Sequence, residues 1–136
     1  MKIDRMTETT SLSTRLVAMC LSPEESGGFE VREVPRRNPA ADEIEVAVGA
    51  ASVNPIDVRR TDGYGRRLLS LLGASQFPMT LGNDFAGTVV AVGTACASAF
   101  AVGERVYGLK PASRDGSHAS HLVVKAIYAR KAPFRA

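Results

Sequence analysis

Apolar and polar residues alternate with a period of two along much of this chain, and that period sends successive side chains to opposite faces of a β-strand. Arg15-Leu16-Val17-Ala18-Met19-Cys20-Leu21 reads as a first strand. A Pro/Ser/Gly-rich turn from Ser22 to Gly28 follows, and Phe29-Glu30-Val31-Arg32-Glu33-Val34 then alternates apolar with charged residues. This predicts a half-exposed strand paired with the first as a hairpin. After a turn-rich connection from Pro35 to Asp42, Glu43-Ile44-Glu45-Val46-Ala47-Val48 alternates again and runs into the small residues Gly49-Ala50-Ala51. That strand is expected to begin at the surface and end buried. The run Phe85 to Val92 carries no charge and is rich in valine, so it predicts a central strand covered on both faces. Gly82, Gly87, Gly93, Gly103 and Gly108 punctuate it and the strand around Val106. Glycines so placed allow close backbone approach, which suggests a tightly curled sheet. Ser117 to Lys125 predicts a further strand, and Ile127 to Arg130 a last short one.

The pattern changes at Val53-Asn54-Pro55-Ile56-Asp57. Asn54 suits an N-cap, Pro55 the first helical position, and Asp57 the positive end of the helix dipole. A short helix should follow and end near Gly63. Arg66 to Leu72 could add a helical turn or two, with Leu68, Leu71 and Leu72 on one face and Gly73 as its stop. Many short strands with one or two short helices indicate a mainly β barrel or sandwich with helical inserts.

With 136 residues, 45% hydrophobic and 23% charged, the chain has material for one domain with a core of its own. Its net charge of +3 is spread out, apart from the pairs Arg36-Arg37, Arg59-Arg60 and Arg66-Arg67. No basic stripe interleaved with aromatics points to nucleic acid. Cys20 and Cys96 fall outside any C-x-x-C pattern and read as small packing residues in a reducing compartment. The Ser/Thr-rich segment 1–14 contains Asp4 and Glu8 but no apolar core. It is expected to be a flexible N-terminus rather than a leader, with no membrane span and a cytoplasmic location.

The spaced pattern Val53-Asn54-Pro55-x-Asp57, Gly63-Tyr64, Pro78, Gly82-x-Asp84, Ala86-Gly87-x-Val89, Val92-Gly93, Phe100, Gly103-Glu104-Arg105-Val106 and Gly116-Ser117-x-Ala119 covers Ile44 to Lys125. It resembles the N-terminal GroES-like half of the medium-chain dehydrogenases/reductases. Within that superfamily the chain looks like the zinc-independent quinone oxidoreductases, most of all the branch of the reticulon-interacting reductases. The resemblance implies a GroES-like, partly open β-barrel over residues 15–136. It also implies hydride transfer from NADPH to a quinone or to the activated double bond of an enone or enoyl thioester. Asn54 then stands as the cofactor-binding residue and Tyr64 as the candidate proton donor.

Zinc-dependent relatives have a cysteine where Asn54 stands and a His-Glu pair where Asn83-Asp84 stands, so no zinc is expected. His118 and His121, three apart, should face opposite sides of a strand and cannot share a metal. No Rossmann turn is found in these residues, because Gly63-Tyr64-Gly65 follows a helical signal rather than a strand. The nucleotide-binding domain is therefore read as absent from this chain, which is expected to bind NADPH weakly. Self-association into a homo-oligomer is expected through apolar surface exposed near Val53 to Leu72. The competing reading is a non-catalytic GroES-like interaction module, or a truncated gene product without function.

Overall fold

A computed structural model of the chain describes residues 13–21, 28–61 and 77–133. Eight strands and one α-helix occur in the order β1 (Thr14–Cys20), β2 (Phe29–Pro35), β3 (Glu43–Ala50), α1 (Pro55–Thr61), β4 (Met79–Thr80), β5 (Asp84–Val92), β6 (Arg105–Leu109), β7 (His121–Lys125) and β8 (Ala129–Lys131). A 3-10 turn, Ala126–Tyr128, leads into β8. The strands form a three-stranded sheet β2-β1-β4 and a five-stranded sheet β7-β3-β5-β6-β8, with every pairing antiparallel.

The segment just before β7 stitches the two sheets together. Ala18 N–H donates to His118 O at 2.9 Å, Ser120 N–H to Leu16 O at 2.8 Å, and Leu16 N–H to Ser120 Oγ at 2.9 Å. The result is a curled, incompletely closed sheet structure, as the GroES-like resemblance implies. Its main core gathers Ile44 and Val46 from β3, Phe85 and Val89 from β5, Val106 from β6, and Leu122 and Val124 from β7. Burying each such side chain contributes roughly 1.5–3 kcal/mol. Cys96 belongs to this core, and Cys20 packs with Met79 and Leu81 in a smaller one, so both cysteines are packing residues.

The hairpin of β1 and β2, the central place of β5 between β3 and β6, and the helix opened by Pro55 all match the sequence pattern. Three expectations are corrected. β3 runs from buried to exposed, the reverse of the order read from its residue types: Ile44, Glu45 and Val46 are buried, whereas Gly49 and Ala50 are exposed. Glu45 can be buried because Arg36 grips its carboxylate through Nε at 2.8 Å and Nη2 at 2.9 Å. The far end of β3 is open because its ladder with β7 stops at Ala47↔His121. β2 is exposed along nearly its whole length rather than on one face, since it pairs only with β1 at a sheet edge. The strand expected from Ser117 begins only at His121, and Ser117 to Ser120 serve as the stitch between sheets. The expected helical turn over 66–72 lies outside the described residues.

Candidate active site around Asn54, Asp84 and His118

The short segment between β3 and α1 lies against the first residue of β5. Asp84 accepts hydrogen bonds from Ser52 N–H at 2.7 Å, from the Ser52 hydroxyl, and from Asn54 Nδ2–H at 2.9 Å. The Ser52 hydroxyl first, then its backbone N–H and Asn54, hold the Asp84 carboxyl below its usual pKa, and the charge of His118 adds to this. His118 closes the cluster from the other side, its Nε2 lying 2.9 Å from Ser52 O. A carbonyl oxygen only accepts, so Nε2 is the protonated nitrogen.

Beneath this cluster, Asp57 is 1% exposed. One of its oxygens accepts Asn54 N–H at 2.9 Å, and the other accepts Gly82 N–H at 3.1 Å. This is half of a capping box, in which the third helical residue reaches back to the cap backbone. Asn54 therefore occupies the cap position, its carbonyl accepting Asp57 N–H at 2.9 Å and Val58 N–H at 3.3 Å. Its side chain does not cap the helix, having turned to Asp84 instead. Gly82 can come this close because it takes φ +101° and because a Cβ there would lie 2.3 Å from Ser117 Oγ.

Two cations lie in the adjoining interior. Arg60, 2% exposed, donates from Nη2 to Ser113 O at 2.8 Å and to Met79 Sδ at 3.4 Å. Burial lowers its pKa, and the charge of Asp57 opposes that shift. Lys110, 8% exposed, donates from Nζ to Ser113 Oγ at 2.7 Å and to Pro111 O at 3.0 Å. Desolvation, with help from Arg60 and against Asp115, pushes its pKa down to about 8.

The sign of the resulting pH dependence follows from proton binding. Between about pH 8 and the ordinary lysine value of 10.5, the unfolded chain keeps a proton at this site that the folded chain has released. Stability should therefore rise with pH across that window, by up to about 3 kcal/mol from this group. Urea unfolding at a series of pH values should show the rise in the parent and not in Lys110→Met. Equal slopes in the two proteins would show that the folded state does not disfavour the charged amine.

Beside α1 opens a mostly apolar cavity of about 300 Å³, lined by Phe29, Val53, Asp57, Val58, Leu81 and His118. Val53, Ile56 and Val58 are exposed around it, at the near end of the stretch expected to present apolar surface. Tyr64, the sequence candidate for proton donation, lies outside the described residues. His118 and His121 have separate environments, though not as opposite faces of one strand, because β7 begins only at His121. His118 belongs to the Ser52 cluster, whereas His121 is half-buried with Nδ1 at 3.1 Å from Ser120 Oγ, its pKa lowered by desolvation and by Arg36. Asn83 donates from Nδ2 to Lys110 O at 3.1 Å. Among the described residues, no group of three or more His, Cys, Asp or Glu is arranged to hold a metal ion. None of their helices is long and apolar enough to cross a membrane.

Asp84 opens β5, and nothing beside it in the sequence names the donors that hold it. The structure supplies Ser52 N–H, the Ser52 hydroxyl and the Asn54 amide. Ser52 and His118 were missed as site residues. Ser52 stands 32 residues from Asp84 and 66 from His118, a distance that no local periodicity spans.

The family model for the alcohol dehydrogenase GroES-like domain matches residues 40–133. The chain belongs to this family. Among curated proteins it is 34% identical over 143 residues to the mitochondrial reticulon-4-interacting protein 1 of Caenorhabditis elegans, covering 96% of this chain and 38% of that protein. It is 36% identical over 90 residues to the human mitochondrial NAD(P)H oxidoreductase RTN4IP1, covering 60% of this chain and 22% of that protein. Among solved structures, an alcohol dehydrogenase superfamily protein from Novosphingobium aromaticivorans superposes with a TM-score of 0.75 at 31% identity, covering 87% of this chain and 34% of the other. The GroES-like chain thus spans between 22% and 38% of the length of these proteins.

Proposed function

We propose that this GroES-like chain is the acceptor-side half of an NADPH-dependent oxidoreductase that reduces a quinone or an activated C=C bond without zinc. The observation that carries this reading is the Asn54 amide at the head of α1, bonded to Asp84 at 2.9 Å, with its sequence neighbour Val53 and its helix partner Asp57 lining the apolar cavity. When bound, the reduced nicotinamide supplies the hydride. The chain's own part is to orient and enclose. Asn54, half-buried with a fixed side chain, suits contact with the nicotinamide end of the cofactor. Val53, Val58 and Leu81 suit an apolar acceptor and exclude water from it. Tyr64, a phenol protonated at neutral pH, is assigned the proton that follows hydride transfer.

The residues at the zinc-ligand positions of other relatives do not fit the metal. Structural and catalytic zinc relies on thiolate, imidazole or carboxylate ligands. Here two of the three positions are amides, and the third, Asp84, already accepts three hydrogen bonds. Elemental analysis of the purified protein should find far less than one zinc per chain. A stoichiometric zinc would overturn this part of the proposal.

The reaction is tested with the chain joined to a nucleotide-binding half. It is given NADPH with either a soluble quinone or an enone, and oxidation of the cofactor is followed. Acceptor-dependent oxidation is expected, and its absence with both acceptors would favour a non-catalytic module. Tyr64→Phe should lower kcat for the enone by about 10²-fold while leaving quinone reduction nearly unchanged. Parental rates with both acceptors would show that Tyr64 only packs.

A further inference from the structure

We infer that Asp84 is a positioning residue that locks the Asn54 amide so that its carbonyl oxygen is presented to the ligand. The ligand group taken up by Asn54 is then a hydrogen-bond donor, such as a sugar hydroxyl or carboxamide N–H, and not the carbonyl of the acceptor substrate. The inference rests on the reductase reading above and specifies what Asn54 does within it.

The orientation of an asparagine amide follows from what its partners can do. Asp84 is ionised, so its oxygens only accept, and the Asn54 atom 2.9 Å from Oδ2 must be the nitrogen. That places Oδ1 on the opposite branch of the amide. The neighbour within reach of Oδ1 is the Ser52 hydroxyl, at 3.4 Å. Ser52 has one hydroxyl proton, and the ionised Asp84 carboxylate is the stronger acceptor for it. A proton committed to a carboxylate in a charge-assisted bond is not available to a second, neutral acceptor 3.4 Å away. Oδ1 is therefore left with its acceptor capacity unspent on a half-buried residue.

The rest of the cluster fixes this arrangement. Asp84 is itself held by Ser52 N–H at 2.7 Å, and Ser52 is held through its carbonyl by His118 Nε2 at 2.9 Å. The Asn54 backbone is pinned by Asp57 at 2.9 Å. With both its backbone and its side-chain nitrogen anchored, the Asn54 amide cannot flip without turning a carbonyl oxygen to the Asp84 carboxylate.

Side-chain NMR of Asn54 in the full 136-residue chain tests the inference. One Nδ2–H should exchange with solvent about tenfold more slowly than in a free carboxamide, the effect expected of one charge-assisted bond. Reduced nicotinamide mononucleotide, which carries both hydroxyl and carboxamide donors, should shift the Asn54 side-chain carbonyl resonance, whereas a soluble quinone should not. Asp84→Asn should abolish the protection and weaken the mononucleotide response about tenfold. Should that variant fail to fold, Ser52→Ala serves in its place. It removes the competing hydroxyl, keeps the Asp84 to Asn54 bond, and should leave the response intact or stronger.

An unprotected Nδ2, a response to quinone but not to the mononucleotide, or a response lost in Ser52→Ala would each overturn the inference. A silent Asn54 in a protein that turns over NADPH would overturn it while leaving the reductase reading in place. An intact mononucleotide response without turnover would overturn only the reductase reading.

Discussion

Asp57→Asn is expected to destabilise the fold by about 3–5 kcal/mol, the cost of breaking a buried charged partner set. The carboxylate is 1% exposed, and each of its oxygens accepts a backbone N–H, from Asn54 at 2.9 Å and from Gly82 at 3.1 Å. An asparagine offers one acceptor and one donor at these places, so an NH2 would face an N–H with nothing between them. The substitution also removes the negative charge that offsets the buried Arg60 guanidinium. Because domains of this kind are stable by about 5–15 kcal/mol in total, a loss of that size should lower the urea midpoint by at least about a fifth of the parental value. A shift worth less than about 1 kcal/mol, the size of one ordinary hydrogen bond, would mean that Asp57 is replaceable by water and that the interior near Arg60 is wetter than the structure shows.

Gly116→Ala should have an effect of similar size for a different reason. A Cβ at this position would lie 2.0 Å from Leu81 O, 2.2 Å from Leu81 C and 2.5 Å from Thr80 O. All three are backbone atoms and cannot rotate away. The two stretches are bonded to each other, with Gly116 N–H donating to Thr80 O at 2.8 Å, Ser117 N–H to Gly82 O at 3.1 Å and His118 N–H to Leu81 O at 2.9 Å. Relief of the clash must separate them. The cost should reach or exceed the upper end of overpacking, about 3 kcal/mol. His118 would move with the loop, so the protection of the Asn54 amide should fall by more than global destabilisation accounts for. Gly28→Ala is the control, because nothing lies within 4 Å of its added Cβ. Thermal melts that show equal Tm shifts for the two variants would show that the close approach at Gly116 relaxes freely.

The strands and the helix start were legible because their signals are local. Alternation in Phe29–Val34 and Glu43–Val48 reports which way consecutive side chains point, and Asn54-Pro55-x-Asp57 carries the stereochemistry of a helix N-terminus within four residues. Gly82, Gly87, Gly93 and Gly108 likewise marked places of close approach, as did Gly116 among the positions that carried the family resemblance, whereas Gly103 stands in open space with φ +93°. Cys20 and Cys96 read as buried packing residues from composition and spacing alone.

What the tertiary structure decided is which surfaces are covered and which polar groups meet. Glu45 alternates as a solvent-facing residue should, yet Arg36 neutralises it and lets it be buried, while Gly49 and Ala50 look buried but stand past the end of the β7 ladder. Arg60 and Lys110 carry charge and are nonetheless buried, because the packing of the 110–116 loop against α1 and β4 encloses them. Asn54 shows the division most clearly. Its own neighbours made it a helix cap, and its backbone is one, but its side chain follows Asp84, an ionised acceptor delivered by β5 from 30 residues away. A local pattern determines the direction in which a residue can point; the partner that waits there is fixed only when distant strands are brought into register.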